Sequence, residues 1–444
     1  MSTYLADMRA MRERLRAALR RGRIAVLDVG SSKTACLVVE VDAERLNQAA
    51  QRGLAHEAHA ALRVVGAGVT RSRGVRLGEI VEMEEAERAI RTALERAEKS
   101  AGARVDQVIA AVSGARPRST AGFGEVELEA EETTGRDIAR ALHAAGGPER
   151  REGREIVHAM PVHFTLDGRT ATTDPRGMTA RTLSVDLHAV TADRTPLRNL
   201  AASVRRCDLE LAGVVIGAYA SGLSALVEDE QKLGAACIDL GAGSTDIGVF
   251  LRGHLVHADS ARIGGDHVTQ DISVGLSMPE AEAERIKTRH GGAVATGLDE
   301  RELIEAPHLG ESHPAERRRI SRSALIGVIR PRMEEILEDA RARLDKAGFR
   351  QLPGRRIVLT GGGAQLVGIE EVAQRILGRQ VRIGRPMRIA GLPQATTGPD
   401  FSALVGLALH AALPKDELWD FEPVAAFAPR RRLAGAVRWF RDNW

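Results

Sequence analysis

One short pattern occurs twice in this chain and limits its possible folds more than any other feature. Residues 24–40 and 235–250 each hold an apolar strand that ends in Asp, a turn of Gly and hydroxyl residues, and a second apolar strand. The two aspartates, Asp28 and Asp239, lie 211 positions apart (239 minus 28), so the pattern recurs once per half-chain. This duplication predicts an α/β chain with two related domains.

The turns of both copies have the chemistry of a polyphosphate site. A Gly/Ser/Thr turn between strands presents backbone N–H groups to phosphate oxygens. An Asp at a strand end can hold Mg²⁺ through water, since Mg²⁺ prefers carboxylate and phosphate oxygens and dehydrates reluctantly. Either copy alone would more often be an ordinary hairpin, whereas the pair predicts a clamp between two domains. The predicted phosphate-binding residues are Gly30, Ser31, Ser32, Lys33, Gly241, Ala242, Gly243, Ser244 and Thr245, and the predicted Mg²⁺-associated residues are Asp28, Asp239 and Asp246.

A third element completes the predicted nucleotide site. The apolar strand 356–360 runs into three glycines, which favour close approach of the backbone to a ligand such as a purine and its α-phosphate. In the predicted helix 280–290, Glu284 and Lys287 lie at i, i+3 and suit ribose hydroxyls. A flexible turn and a solvated helix face are the alternative interpretations. The predicted adenosine-binding residues are Gly265, Glu284, Lys287, Gly361, Gly362 and Gly363.

The order of these elements resembles that of the actin, Hsp70 and sugar-kinase superfamily. Further segments resemble FtsA, the actin-like family of bacterial cell division, from about residue 23 to the end. Ala180 departs from the family pattern, which usually has Gly there. The segments that carry the resemblance are 156–168, 174–178, 264–272, 285–291, 328–336 and 402–407.

The resemblance implies an actin-like ATPase fold around an ATP and Mg²⁺ cleft. We expect an inserted α+β subdomain that mediates self-association and contacts to later division proteins, with a purely structural insertion as the alternative. We also expect a helical subdomain in the second half. The predicted divisions are a first actin-like domain (23–102 and 187–231, with a return helix near 402–411), the insert (103–186), a second actin-like domain (232–265 and 354–412) and the helical subdomain (266–353).

Composition is typical of a multidomain cytoplasmic protein. The chain has 444 residues, too many for a single core, and its 63 basic and 60 acidic residues are nearly balanced, so no nucleic-acid partner is implied. The 3 cysteines are widely separated and predict reduced core residues. The N-terminus lacks an apolar signal region, and the sequence has no apolar run of about 18–20 residues for an ordinary membrane-spanning helix.

The helical subdomain carries a candidate protein-binding surface. Residues 316–332 contain six arginines and one acid beside an apolar stripe at helical spacing, which is more often core than groove. Pro331 within the stripe predicts that a helix starts or bends there. The resemblance implies that this subdomain binds the C-terminal tail of FtsZ, the tubulin-like filament protein, with Arg332 and Glu335 in the matching motif.

The end of the chain has the pattern of a membrane anchor. Residues 413–428 predict a flexible linker, and residues 429–444 predict an amphipathic helix with a basic polar face, lying in an anionic membrane interface. Partial burial of the apolar side chains and attraction of the basic residues to anionic lipid would give a membrane-binding free energy on the order of 5–8 kcal/mol. One copy would therefore bind the membrane weakly, and a filament of many copies would bind it tightly. Docking of this helix on its own protein is the alternative. The predicted membrane-binding residues are Leu433, Val437, Trp439, Phe440 and Trp444.

Residues 1–22, with six arginines and two acids, form a basic extension. A second weak lipid- or partner-binding segment and a disordered extension are equally compatible with it.

For the whole chain the sequence predicts an ATP-binding scaffold that polymerises and tethers FtsZ filaments to the inner face of the cytoplasmic membrane at the division site as a peripheral protein. Hydrolysis of ATP is predicted to be weak at most. An actin-like pilus-assembly or segregation protein is the nearest alternative, and a sugar-kinase-type phosphotransferase, for which no sugar motif is visible, is a remote one.

Overall fold

The two copies of the repeated pattern form the centres of two matching sheets. The structure is a computed structural model that describes residues 2–51, 59–146, 153–307, 318–352 and 356–421. The strands are β1 (Arg23–Val29), β2 (Lys33–Val41), β3 (Leu62–Arg71), β4 (Val75–Arg76), β5 (Glu79–Ile80), β6 (Gln107–Val112), β7 (Arg118–Glu127), β8 (Arg154–Leu166), β9 (Thr170–Thr172), β10 (Thr182–Asp193), β11 (Glu210–Ile216), β12 (Ala235–Leu240), β13 (Thr245–Leu251), β14 (His254–Ala261), β15 (Leu303–Ala306), β16 (Arg318–Ser321), β17 (Arg356–Thr360) and β18 (Val381–Ile383).

Helices connect and cover these sheets. They are α1 (Ser2–Arg20), α2 (Ala43–Gln51), α3 (Met83–Ala101), α4 (Gly135–Ala144), α5 (Arg194–Arg206), α6 (Gly217–Ala225), α7 (Glu228–Leu233), α8 (Gly265–Gly275), α9 (Glu280–His290), α10 (Arg322–Lys346), α11 (Ile369–Leu377) and α12 (Ser402–Ala412).

The two domains share one strand arrangement. The first sheet has the order β11-β6-β1-β2-β3, and the second has the order β18-β17-β12-β13-β14 when read in the same direction. In each, the repeated hairpin is antiparallel (β1 with β2, β12 with β13), and its first strand pairs in parallel with a strand of a later crossover (β6 or β17). The central strands are almost wholly buried because helices cover both faces of each sheet.

The inserted subdomain is an antiparallel sheet with the order β7-β10-β8-β9, on which α4 packs. Its limits differ from the predicted 103–186. β6, predicted to belong to the insert, pairs in parallel with β1 and β11 in the first sheet, and β10 continues to Asp193. A short apolar strand suits either sheet equally, so only the long-range pairing fixes this boundary.

The helical subdomain consists of α8, α9 and α10 with the small β15–β16 hairpin. α10 does not start at Pro331 but runs through it. Leu325 and Ile329 before the proline and Met333 and Ile336 after it are all buried, so core packing holds both halves of the helix in place. The apolar stripe of α10 is therefore core, with the arginines at its edge.

α6 and α12 cross in backbone contact at the junction of the two domains. A Cβ atom placed on Gly406 of α12 would overlap the carbonyl oxygen of Ala220 in α6, so only glycine fits at this crossing. Tyr219 of α6 is buried beside Phe250 of β13 and His410 of α12. The predicted return helix thus lies against the first domain and borders the cleft.

Both ends of the described chain fold against the body. α1 forms an ordered helix, not a disordered extension, and buries Met8, Leu15 and Ala18. The predicted flexible linker, 413–428, is also docked over residues 413–421, where Glu417 and Trp419 are buried. The prolines and charges of this segment predicted a tether. The partners of its side chains lie far away in the sequence, so no local pattern could reveal the docking. Residues 422–428 lie outside the described ranges.

Candidate nucleotide cleft

The two repeated turns face each other between the domains. In the first turn, the Gly30 N–H donates to the carbonyl oxygen of Lys33 at 3.0 Å, which closes the turn. A Cβ atom on Gly243 of the second turn would overlap Ser31 Oγ and lie 2.7 Å from Leu77 Cα, so the turns approach too closely for any other residue. The Gly78 N–H donates to Ser31 Oγ at 2.9 Å, which fixes the first turn from the side.

The triple glycine packs on the end of β12. Gly361 has φ +82, a left-handed conformation that favours glycine, and a Cβ there would lie 2.7 Å from the carbonyl oxygen of Leu240. The Gly361 N–H donates to the carbonyl oxygen of Pro399 at 3.1 Å. A Cβ on Gly363 would lie 2.8 Å from Leu240 Cβ. The structure thus joins the predicted adenosine loop to the second turn, where Asp239 directly precedes Leu240.

Glu284 and Lys287, predicted to bind the ribose, lie beside the second turn. The Gly265 N–H donates to the carbonyl oxygen of Gly241 at 2.9 Å, and Lys287 Nζ donates to the carbonyl oxygen of Gly265 at 2.9 Å. Glu284 accepts from Lys287 at 2.6 Å and from the hydroxyl of Thr269. The predicted phosphate and adenosine residues of the second half therefore form one connected cluster.

Lys33 is held by two residues that the sequence did not indicate. Its ammonium lies 2.8 Å from Asp400 Oδ2 and 4.3 Å from the centre of the Phe401 ring. Gln365 Nε2 donates to the other carboxylate oxygen of Asp400 at 3.1 Å. Asp400 lies 367 positions from Lys33, so no local pattern could have revealed the pair. The pair spans the cleft from the first turn to the start of α12.

Three buried aspartates of the cleft have pKa values above the ordinary range. Burial raises the pKa of Asp28 to about 6, while Lys33 lowers it and the charge of Asp239 raises it. Burial likewise raises the pKa of Asp239, against a hydrogen bond from the hydroxyl of Ser221 and the charge of Lys33. Burial raises the pKa of Asp246 to about 7, although the hydroxyl of Ser260 donates to its carboxylate. A cation or a bound cluster of positive charge would restore ionisation of all three.

These residues fit a nucleoside triphosphate with Mg²⁺. Gly243 admits no Cβ where the two turns meet, turns of this residue type suit phosphate oxygens, and the carboxylates suit a hydrated cation. Within the described ranges, no group of three His, Cys, Asp or Glu side chains converges to hold a metal directly.

The residues predicted to bind FtsZ lie together on α10. Arg332 makes a two-point ion pair with Asp271 of α8, with Nε 2.6 Å from Oδ2, and also contacts Glu335 at 2.5 Å. The guanidinium is partly exposed and Glu335 is exposed. Val274 on the neighbouring helix α8 is 73% exposed. The edge of α10 therefore presents charge beside an apolar side chain.

The five predicted membrane-binding residues, Leu433, Val437, Trp439, Phe440 and Trp444, lie outside the described residues. Among the helices that the structure describes, none combines the length and apolar character required to cross a bilayer.

Comparison with a solved structure agrees with the fold of the two duplicated domains. Together these features define an actin-like protein. The fold is similar to that of the PilM-PilN type IV pilus biogenesis complex, with a TM-score of 0.59, 15% identity, and coverage of 88% of this chain and 99% of that chain.

Sequence comparison identifies the family within this class. Residues 236–406 match the family model of cell division protein FtsA, and residues 114–191 match the SHS2 domain inserted in FtsA. The chain is 42% identical to cell division protein FtsA of Rhizobium meliloti (strain 1021), over 95% of both chains. It is 31% identical to that of Escherichia coli (strain K12), over 86% of this chain and 89% of the relative. The chain belongs to the FtsA family of cell division proteins.

Proposed function

We propose that this protein binds ATP with Mg²⁺ in the cleft and acts chiefly as a scaffold. The observation that carries the proposal is the convergence of both glycine turns and the triple glycine around Lys33 and Asp239. The backbone of the two turns would hold the phosphates, Lys33 would neutralise phosphate charge, and Gly361 to Gly363 would face the adenosine. Mg²⁺ supplies positive charge to the phosphates and would be held through water by Asp28, Asp239 and Asp246.

We further propose that the bound nucleotide sets the angle between the two domains and so favours contacts between copies of the chain. The cleft lies between the two domains, and its residues come from both of them. The inserted subdomain, whose sheet extends from the first domain, would contact neighbouring copies and later division proteins. Family membership supports both roles.

The remaining part of the proposal is a tether between two partners. The C-terminal tail of FtsZ, which is expected to be acidic and apolar, would bind the edge of α10 at Arg332 and Glu335. Residues 429–444, with their basic polar face and aromatic side chains, would bind the inner face of the cytoplasmic membrane at the division site. Both regions must act together for the chain to recruit filaments to lipid.

The nucleotide part is tested by calorimetric titration of the full chain with ATP and Mg²⁺. Lys33→Met should weaken binding about tenfold or more, the loss expected for one charge-assisted hydrogen bond. Lys99→Met, at an exposed position of α3, is the matched control and should leave the affinity unchanged. Equal affinities of the Lys33→Met variant and the unaltered chain would contradict the assignment.

The tether is tested by sedimentation of purified FtsZ with anionic liposomes in the presence of the full chain or of a chain that ends at Ala428. Only the full chain should carry FtsZ down. Arg332→Ala should keep the protein on liposomes but reduce recruitment of FtsZ, whereas Lys346→Ala, an exposed residue further along α10, should not. Recruitment by the shortened chain would refute the membrane role of residues 429–444.

A pilus-assembly role is the second candidate from the sequence. The fold similarity to the PilM-PilN complex is accompanied by only 15% identity, against 42% identity to a cell division protein. No observation on this chain favours it over the cell division role.

A further inference from the structure

The segment that joins α12 to the C-terminal tail, residues 414–421, is fastened to three separate parts of the molecule. We call this segment the tail root. It touches α1, the inserted subdomain and the turn between β13 and β14 of the second domain. Its charged side chains are largely buried, which is unusual for a stretch whose composition suggested a free linker.

α1 holds the tail root with arginines. Arg12, which is only 8% exposed, donates to Asp420 Oδ1 at 2.9 Å and to the carbonyl oxygen of Lys415 at 2.6 Å. Arg16 pairs with the same carboxylate at 2.9 Å, and Arg9 donates to the carbonyl oxygens of Trp419 and Phe421 at 3.0 and 2.8 Å. These three guanidinium groups are bound to the tail root, so they are not available to bind lipid headgroups.

The inserted subdomain receives the middle of the tail root. Glu417 Oε2 accepts from the Ala159 N–H of β8 at 2.8 Å, and Glu417 Oε1 lies 3.1 Å from His158 Nδ1. The Ile216 N–H donates to His158 Nε2 at 3.1 Å, so Nε2 is the acceptor and Nδ1 carries the hydrogen that faces Glu417. Trp419 is buried against Ala159 and its neighbours.

The second domain holds the start of the tail root through one lysine. Lys415 Nζ donates to the carbonyl oxygen of Gly253 in the β13–β14 turn and lies 3.4 Å from His254 Nδ1. α1 and β8 lie outside the second domain, so this bond links the second domain to both of them through the tail root. Burial lowers the pKa of Lys415 to about 8.

We infer that α1 and β8 form a receptor for the tail root, and that the docked root is a strap between the inserted subdomain and the second domain. The root therefore fixes the point from which the C-terminal tail leaves the body. A partly released root would leave buried charges unpaired, which is costly, so docking is all-or-none.

The membrane role of the tail belongs to the proposed function, whereas the docking of its root does not depend on that role. Hydrogen exchange of the full chain in the absence of lipid therefore tests the docking alone. In the unaltered chain the amides of 414–421 should be protected. Removal of residues 2–20 should release them, with exchange at least about tenfold faster, as expected when charge-assisted hydrogen bonds are lost.

Point variants separate the two attachments and avoid the risk that the shortened chain misfolds. Asp420→Asn should speed exchange in both 2–20 and 414–421, because each protects the other. Because docking is all-or-none, Lys415→Met should also speed exchange in both segments, but by less than Asp420→Asn, since it removes one contact to the β13–β14 turn and not two ion pairs to α1. Asp416→Asn, at a side chain that is 54% exposed, is the matched control and should change neither segment.

Two results would overturn the inference. One is a tail root that exchanges within seconds in the unaltered chain, and the other is a root that stays protected after removal of α1 and in Asp420→Asn. Failure of the full chain to bind anionic liposomes would instead refute the membrane role and leave the docking result unaffected.

Discussion

The two repeated hairpins share a backbone and differ in what surrounds it. In the first copy, a Cβ on Gly30 would lie 3.2 Å from the carbonyl oxygen of Lys33, a tight contact that a small shift could relieve. At the matching position of the second copy, a Cβ on Gly241 would lie 2.7 Å from the carbonyl oxygen of Ser244. The first copy supplies the cation, Lys33. The second supplies carboxylates that receive hydrogen bonds from serines, as at Asp246 and Ser260.

The two copies of the duplicated hairpin therefore supply different chemical groups to the cleft. The backbone turn alone suits phosphate in either copy. The side chains then diverge, because each copy keeps one strand-end carboxylate, Asp28 or Asp239, whereas only the first adds a cation, Lys33, and only the second adds a further carboxylate, Asp246. A ligand that needs both kinds of group is held only when the two domains come together.

The largest effect should come from the point where the two copies nearly touch. Gly243→Ala would force Cβ into Ser31 Oγ and the backbone of Leu77, so the hairpins must separate. We expect a loss of about 1–3 kcal/mol in the free energy of unfolding and loss of measurable ATP binding in calorimetric titration. Gly135→Ala, where a Cβ meets nothing within 4 Å, is the control for the exchange itself. Normal ATP affinity of the Gly243→Ala variant would show that the copies do not act as one clamp.

A smaller effect should appear in the pH dependence of stability, measured as thermal midpoints without nucleotide. The folded pKa of Asp246 is raised to about 7 from an ordinary 3.8. Between these values the folded state keeps a proton that the unfolded state has lost, so stability falls as pH rises through this window. Asp246→Asn has no carboxyl proton to lose, so its stability does not fall in this window. The thermal midpoint of the variant, relative to that of the unaltered chain, should therefore be higher at pH 7.5 than at pH 5.

The same measurement compares the two copies directly. The pKa of Asp28 is raised only to about 6, so the gain from Asp28→Asn should be complete at a lower pH and should be smaller. Gains that are equal in size, or that do not change between pH 5 and 7.5, would mean that the two carboxylates have the same environment.

The smallest effect should come from Asp400, which competes with phosphate for Lys33. Asp400→Asn removes the carboxylate charge 2.8 Å from the ammonium, so ATP should bind a few-fold more tightly. The expected gain is below about 1 kcal/mol because the pair is partly exposed. Asp416→Asn, which removes an exposed charge on the tail root, should leave the affinity unchanged. Weaker binding in Asp400→Asn would mean that Asp400 positions Lys33 for the ligand.

The sequence predicts features that depend on neighbouring residues and misses those that depend on residues far apart in the chain. The hairpin turns and the triple glycine are local patterns, and the structure brings Gly30, Gly243 and Gly361 to one cleft as expected. Asp400 gave no signal, because a single Asp after a proline gains meaning only from Lys33 on the other side of the fold.

For the same reason, the sequence left the role of residues 1–22 open and wrongly predicted a flexible linker over residues 413–421. The arginines of α1 and the acids of the tail root each look like a solvated charge run when read alone. Their pairing across more than 400 positions, such as that of Arg12 with Asp420 at a separation of 408, turns both into docked structure. Helical spacing in residues 5–19 was visible, but its burial partner was not.

The docked tail root also has a mechanical consequence. A pull on the chain beyond Phe421 reaches the contacts of Arg12 and Glu417 before it reaches α12. α12 begins directly after Phe401, whose ring lies against Lys33. The load therefore passes into α1 and β8, and the nucleotide cleft is shielded from tension for as long as these contacts hold.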